Sequence, residues 1–100
     1  MVTKRTIIWT KLAEEQLEAI YNYIKDTSIQ NAEKLKIEIL ESTLSLIDYP
    51  EKYPNDKYKE KNNGTFKAYE IYKYRISYNF LEDKIIILRI RSTQMKPKTY

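Results

Sequence analysis

The feature that most constrains this chain is a change of hydrophobic period on either side of its only glycine. Before Pro50, apolar residues recur at intervals of three and four, and beyond Gly64 the interval becomes two. The first spacing gathers side chains on one face of a helix, the second on one face of a strand. Helical and extended segments therefore occupy different halves of the sequence, which predicts an α+β fold.

Residues 4–10, KRTIIWT, are β-branched and aromatic and favour a short strand. Thr10 then stands where a helix cap is needed. From Lys11 to Asp26, Ala13, Leu17, Ile20, Tyr21 and Ile24 share one helical face, with Glu14 near the positive end of the helix dipole. Thr27 and Ser28 interrupt the pattern, and Thr27 with Gln30 has the spacing of a capping box. A second helix is predicted from Ile29 to Asp48 on Ala32, Leu35, Ile39, Leu40, Leu44 and Ile47. Pro50 ends it by disfavouring helical geometry at Tyr49. So short a connection makes the two helices an antiparallel hairpin.

The stretch from Pro50 to Gly64 holds two prolines, Asn62, Asn63 and the glycine, and reads as a loop that Tyr49, Tyr53 and Tyr58 anchor. Strands are predicted at Phe66–Tyr72, Arg75–Leu81 and Lys84–Arg91, the last two joined by a Glu82-Asp83 turn, as an antiparallel meander. With the helices on one sheet face, Ile76, Tyr78 and Phe80 belong inside, along with Ile86, Leu88 and Ile90 of the last strand. Trp9 is expected to pack beneath the helices. Arg75, Arg89 and Arg91 would then converge on the opposite, half-open face, provided the strand register holds.

A length of 100 residues supports one domain, residues 1–100, with one modest core. Zero cysteine and zero histidine remove disulfides, thiolate chemistry and the commonest zinc ligand. Any catalysis must use carboxylate, lysine, arginine or tyrosine, and no metal or cofactor is expected. Lys4 and Arg5 are followed by only Ile7, Ile8 and Trp9 before polar residues return, unlike a signal peptide, and no apolar run approaches the roughly 18 residues of a membrane span. A cytoplasmic protein without a membrane partner is expected. The net charge is +4, and beyond Asp83 come Lys84, Arg89, Arg91, Lys96 and Lys98 with no acid. Such a basic end attracts polyanions or an acidic partner, unless it is simply a solvated face.

The order of elements and several short stretches resemble the RelE/ParE toxin superfamily. These are Trp9-Thr10 closing the first strand, Tyr21-Asn22-Tyr23-Ile24, Asn31-Ala32, Gly64-Thr65-Phe66-Lys67, Tyr74-Arg75-Ile76-Ser77-Tyr78, Ile87 to Thr93, and the closing Pro97 and Tyr100. The resemblance implies the toxin of a bacterial type II toxin-antitoxin module, a growth inhibitor of the kind associated with plasmid stabilisation. Its expected partner is a cognate antitoxin that covers the sheet and the helical hairpin. Its target is implied to be either DNA gyrase or the ribosome with its messenger RNA, and the long hairpin is the more ParE-like feature, pointing to gyrase. An inactive relative kept for antitoxin or nucleic-acid binding is the third alternative.

For the endonuclease alternative, metal-free cleavage of RNA needs a base, a proton donor and cations on the phosphorane. The resemblance places Arg75 on phosphate and Tyr100 at a base-stacking or proton-handling position. Glu70 is the remaining candidate base, and Lys67, Arg89, Arg91, Lys96 and Lys98 are candidates for binding nucleic acid or a target. Each also has an ordinary reading as a solvated strand or tail residue. The sequence departs from the nuclease pattern at Ser92, where many relatives have histidine, and at Gln94 and Met95, where a second phosphate-binding arginine is usual. Tyr69, Tyr72, Tyr74 and Tyr78 could stack on bases but more simply serve packing.

Overall fold

The structure, a computed structural model, describes residues 4–100. Strand β1 (Thr6–Trp9) leads into helices α1 (Lys11–Lys25) and α2 (Ile29–Leu44). Strands β2 (Phe66–Ile71), β3 (Tyr74–Phe80) and β4 (Lys84–Ser92) follow. The sheet order is β1-β4-β3-β2, with β2, β3 and β4 antiparallel in succession and β1 added parallel to β4. The helical hairpin packs on one face. Ala13 and Leu17 of α1 and Leu35 and Ile39 of α2 meet Tyr69, Ile76, Tyr78, Ile85, Ile87 and Ile90, with Trp9 and Ile7 against them. The predicted α+β order holds, and the strand bounds shift by one or two residues.

Local chemistry explains where the helices begin and end. Thr10 caps α1 by accepting from the Ala13 amide at 3.1 Å. The second cap is Ser28, whose hydroxyl accepts from the Asn31 amide, so the expected Thr27–Gln30 capping box lies one residue out of register. Helix α2 stops at Leu44 rather than Asp48. The hydroxyls of Ser42, Thr43 and Ser45 each donate to the carbonyl three residues back, at 2.7 Å. Such back-bonding competes with the helical ladder, and the chain continues as tighter turns through Leu46 and Ile47.

One irregularity decides which residues line which face. Ser77 pairs with Arg89 while Tyr78 pairs with Ile87, so Leu88 is an extra residue in β4, a β-bulge. The bulge reverses the alternation. Ile85 and Ile87 face the core before it and Ile90 after it, correcting the expected inside set of Ile86, Leu88 and Ile90; Ile86 and Leu88 are only half-buried. Two side chains hold the bulged strand. The Thr10 hydroxyl donates to the Leu88 carbonyl at 3.0 Å, and Gln16 Oε1 accepts from the Ile90 amide at 2.7 Å, past the end of β1.

The loop 50–64 is tied down near both of its ends. Tyr78 donates its hydroxyl to the Pro50 carbonyl at 2.6 Å, and Tyr53 stacks on Tyr69 with centroids 4.3 Å apart. Tyr49 is 70% exposed and anchors nothing, contrary to expectation. Asn62 organises the far end. Its Nδ2 donates to the Phe66 carbonyl, and its Oδ1 accepts from the amides of Gly64 and Phe66. Gly64 takes φ +97°, a backbone region costly for any residue with a Cβ.

Candidate functional site

The face of the sheet away from the helices carries Glu70, Arg75, Arg89 and Arg91 of the residues that the sequence singled out. Across it, Glu70 of β2 pairs with Arg75 of β3, Arg75 with Arg91 of β4, and Ser77 with Arg89. The three arginines converge on this face because the Leu88 bulge takes Arg89 and Arg91 out of phase with Ile85 and Ile87. An unbroken alternation would have sent all four to the same side. Arg75, Arg89 and Arg91 line a cleft of about 80 Å³ with Glu70, Tyr58, Pro97 and Lys98.

At the centre sits a carboxylate that sequence reasoning missed. Asp56, from the loop, is 2% exposed, and its Oδ1 meets Arg75 Nη2 at 3.0 Å. The Tyr58 amide donates to the same oxygen at 3.0 Å in an Asx turn, and the Tyr100 hydroxyl donates to Oδ2 at 2.6 Å. Burial alone would raise the carboxyl's pKa. The donors from Tyr100, Tyr58 and Arg75 outweigh it and hold Asp56 below its ordinary value. The loop reaches the site because Asp56 N donates to the Phe66 carbonyl and Asn55 bridges to Lys67, extending the sheet beyond β2. The Pro54-Asn55-Asp56 turn residues signal a defined loop, but no spacing rule says that this loop returns to β3.

Tyr100 closes the cluster from the other end. Its amide donates to the Tyr58 carbonyl at 3.0 Å and its carbonyl accepts from the Glu60 amide at 2.6 Å. Its ring lies 4.0 Å from the Arg89 guanidinium carbon, within cation–π range. Burial, followed by the bond to Asp56, pushes the phenol well above its usual range. Arg89 is 7% exposed and donates to the Lys98 carbonyl at 2.6 Å, while Arg91 donates to the Lys96 carbonyl at 3.3 Å. Burial lowers the Arg89 pKa, with Tyr100 and Asp56 acting in opposition.

The remaining candidates stand apart from this centre. Glu70 is an exposed strand residue whose carboxylate comes within 3.6 Å of Arg75 Nη1. Lys67 donates its ammonium to Asn55 Oδ1 at 2.7 Å, at the sheet edge. Lys96 and Lys98 contribute backbone carbonyls to the site, and both are exposed. Of the sheet tyrosines, Tyr69 and Tyr78 lie in the core, 6.1 Å apart edge to face, where they cannot meet a base. Among the described residues no helix is long and apolar enough to cross a membrane.

Comparison with known proteins agrees with this layout. The chain superimposes on a chain of the chromosomal ParDE toxin-antitoxin system from P. aeruginosa with a TM-score of 0.69 at 21% identity, covering 89% of this chain and 96% of that one. It also superimposes on a chain of the toxin-antitoxin complex RelBE2 from Mycobacterium tuberculosis with a TM-score of 0.63 at 14% identity, covering 92% and 94%. At these identities the likeness establishes the fold. No curated protein matches the sequence. The family model described as the ParE toxin of the type II toxin-antitoxin system parDE matches residues 7–97. With nearly its whole length matched, the chain belongs to the ParE toxin family of type II toxin-antitoxin systems.

Proposed function

We propose that this ParE-family toxin arrests growth by binding DNA gyrase, without RNA chemistry at its sheet face, and that a cognate antitoxin neutralises it. The observation that carries this reading is the closed network around Asp56. General acid–base work needs groups free to exchange protons with a substrate within hydrogen-bond reach. Here the buried carboxylate is answered by Arg75, Tyr58 and Tyr100, the phenol is committed to it, and Arg89 and Arg91 hold tail carbonyls. These bonds spend the face on structure. A toxin that works by binding needs no such groups free.

An antitoxin partner follows from family membership and from the neighbours' being toxin-antitoxin complexes. An acidic one would suit the basic C-terminal run. One observation favours a second reading, the ribosome-dependent endonuclease: Glu70 stands beside Arg75 on the rim of the arginine cleft, a carboxylate next to a phosphate-binding cation. The two separate in cells. Expression from a tightly controlled promoter should induce the DNA-damage response and leave messages intact. Rapid loss of full-length messages with no DNA damage would favour the nuclease.

A further inference from the structure

The arginine face buries more polar chemistry than its cover satisfies. Among the described residues, four buried side-chain atoms lack a hydrogen-bond partner, and three of them are Arg75 Nε, Ser77 Oγ and Asn79 Oδ1. These occupy successive positions on one side of β3, opposite to Ile76 and Tyr78. Buried polar groups are ordinarily paired, so a run of orphans along one strand marks a surface built for hydrogen bonds that its present cover does not supply.

Part of that cover is the chain's own tail. Residues 93–99 are exposed, and none is buried in the core. What holds the tail is a recognition pattern. Arg91 and Arg89, two positions apart on β4, donate to the carbonyls of Lys96 and Lys98, also two positions apart. Tyr100 exchanges backbone bonds with Tyr58 and Glu60, places its ring on Arg89 and donates its hydroxyl to Asp56. An extended segment read by its alternate carbonyls and one aromatic side chain is how a groove binds a peptide.

We propose that this face is a peptide-binding groove, occupied in cis by residues 96–100, and that it exchanges this tail for an extended partner segment carrying an aromatic hydrogen-bond donor. A segment with exposed residues and few apolar contacts opens well before the global fold. The chemistry favours peptide over nucleic acid, because the tail supplies carbonyls to Arg89 and Arg91 and a hydroxyl donor to Asp56, and phosphate oxygens, which only accept, cannot answer that carboxylate. The inference rests on the same closed network as the proposed function: the face stays closed in the free toxin, and its bonds to the tail are given up only to an incoming segment that replaces them.

The test uses the full-length chain. Tyr100→Ala loosens the tail, and a fluorescent peptide of residues 95–100 should bind this variant at least tenfold tighter than it binds wild type. Binding should vanish when the peptide's own tyrosine is replaced by alanine. In wild type, hydrogen exchange at the Tyr100 and Glu60 amides should run much faster than at the core Ile87 amide. The idea is overturned if Tyr100→Ala fails to fold, since the tail is then integral to the fold, or if the folded variant ignores the peptide. Preference for a short single-stranded RNA over the peptide, or tail amides exchanging only with global unfolding, overturns it equally.

Discussion

Tyr100 and Asp56 lie 44 positions apart in the chain and meet through a 2.6 Å hydrogen bond from phenol to carboxylate. The same carboxylate draws Arg75 to 3.0 Å, so one loop acid joins β3 to the far end of the chain. A carboxylate removed from water is tolerated only when its oxygens are answered.

Asp56→Ala strips the pair from one side and leaves Arg75 with Glu70 as its remaining partner. Breaking a buried pair costs about 3–5 kcal/mol. Arg75 retains some contact with water, so a loss near about 2–3 kcal/mol is expected after discounting for screening. Tyr100→Phe keeps the ring on Arg89 but takes the donor from Asp56 Oδ2, for about 1.5–3 kcal/mol. Urea denaturation measures both. An Asp56→Ala change below about 0.5 kcal/mol would remove the network from this account.

The pH dependence has opposite signs at the two ends. Asp56 is held below its ordinary value, so the stability it contributes is full above the unfolded carboxylate range of about 4 and is lost as pH falls through the depressed value. Tyr69 behaves inversely. Burial pushes its phenol up to about 12, so its contribution is intact below the ordinary pKa of 10.0 and is lost as pH rises toward 12. Asp56→Asn should flatten the acid limb of a stability profile, and Tyr69→Phe should move alkaline unfolding to higher pH. An unchanged acid limb in Asp56→Asn would contradict the Asp56 assignment.

The bulge makes a register test available. Ile87 is fully buried whereas Ile86 is half-buried, so Ile87→Ala should cost about 2–4 kcal/mol and Ile86→Ala about 1 or less. Thermal or urea unfolding of the two variants decides it. The reverse order would restore an unbulged strand with Ile86 and Leu88 facing the core and Ile85 and Ile87 facing out.

The element order was legible because its signals are local: the period of three and four, the caps at Thr10 and near Ser28, the change after Gly64. The convergence of Arg75, Arg89 and Arg91 was also legible, although the route to it was not. Alternation alone cannot reveal the Leu88 bulge, which rests on a hydroxyl from Thr10 and an amide oxygen from Gln16, 78 and 74 positions away. Asp56 was invisible for the same reason. Its significance comes from strand β3 and Tyr100, and loop residues acquire such partners only through tertiary packing. The shortened α2 reflects three hydroxyls competing for carbonyls, an effect weaker than the apolar pattern that carried the expectation to Asp48.

Glu70→Gln separates the two functional readings at little structural risk, since the side chain is exposed on the rim. Growth arrest on expression should stay within about twofold of wild type if the face does no proton chemistry, whereas loss of a general base ordinarily costs about 10²–10⁴-fold in rate. Colony counts after induction, normalised to protein level, provide the readout. Abolished toxicity with an unchanged fold would point to the nuclease.

The most direct test combines purified chain with gyrase and relaxed plasmid, and in parallel with a reconstituted translation reaction whose message ends are mapped against a ribosome-free control. A gyrase-binding toxin abolishes supercoiling, accumulates gyrase-linked cleaved DNA and leaves the message intact. Codon-phased cuts that require the ribosome, with supercoiling unaffected, would contradict gyrase binding.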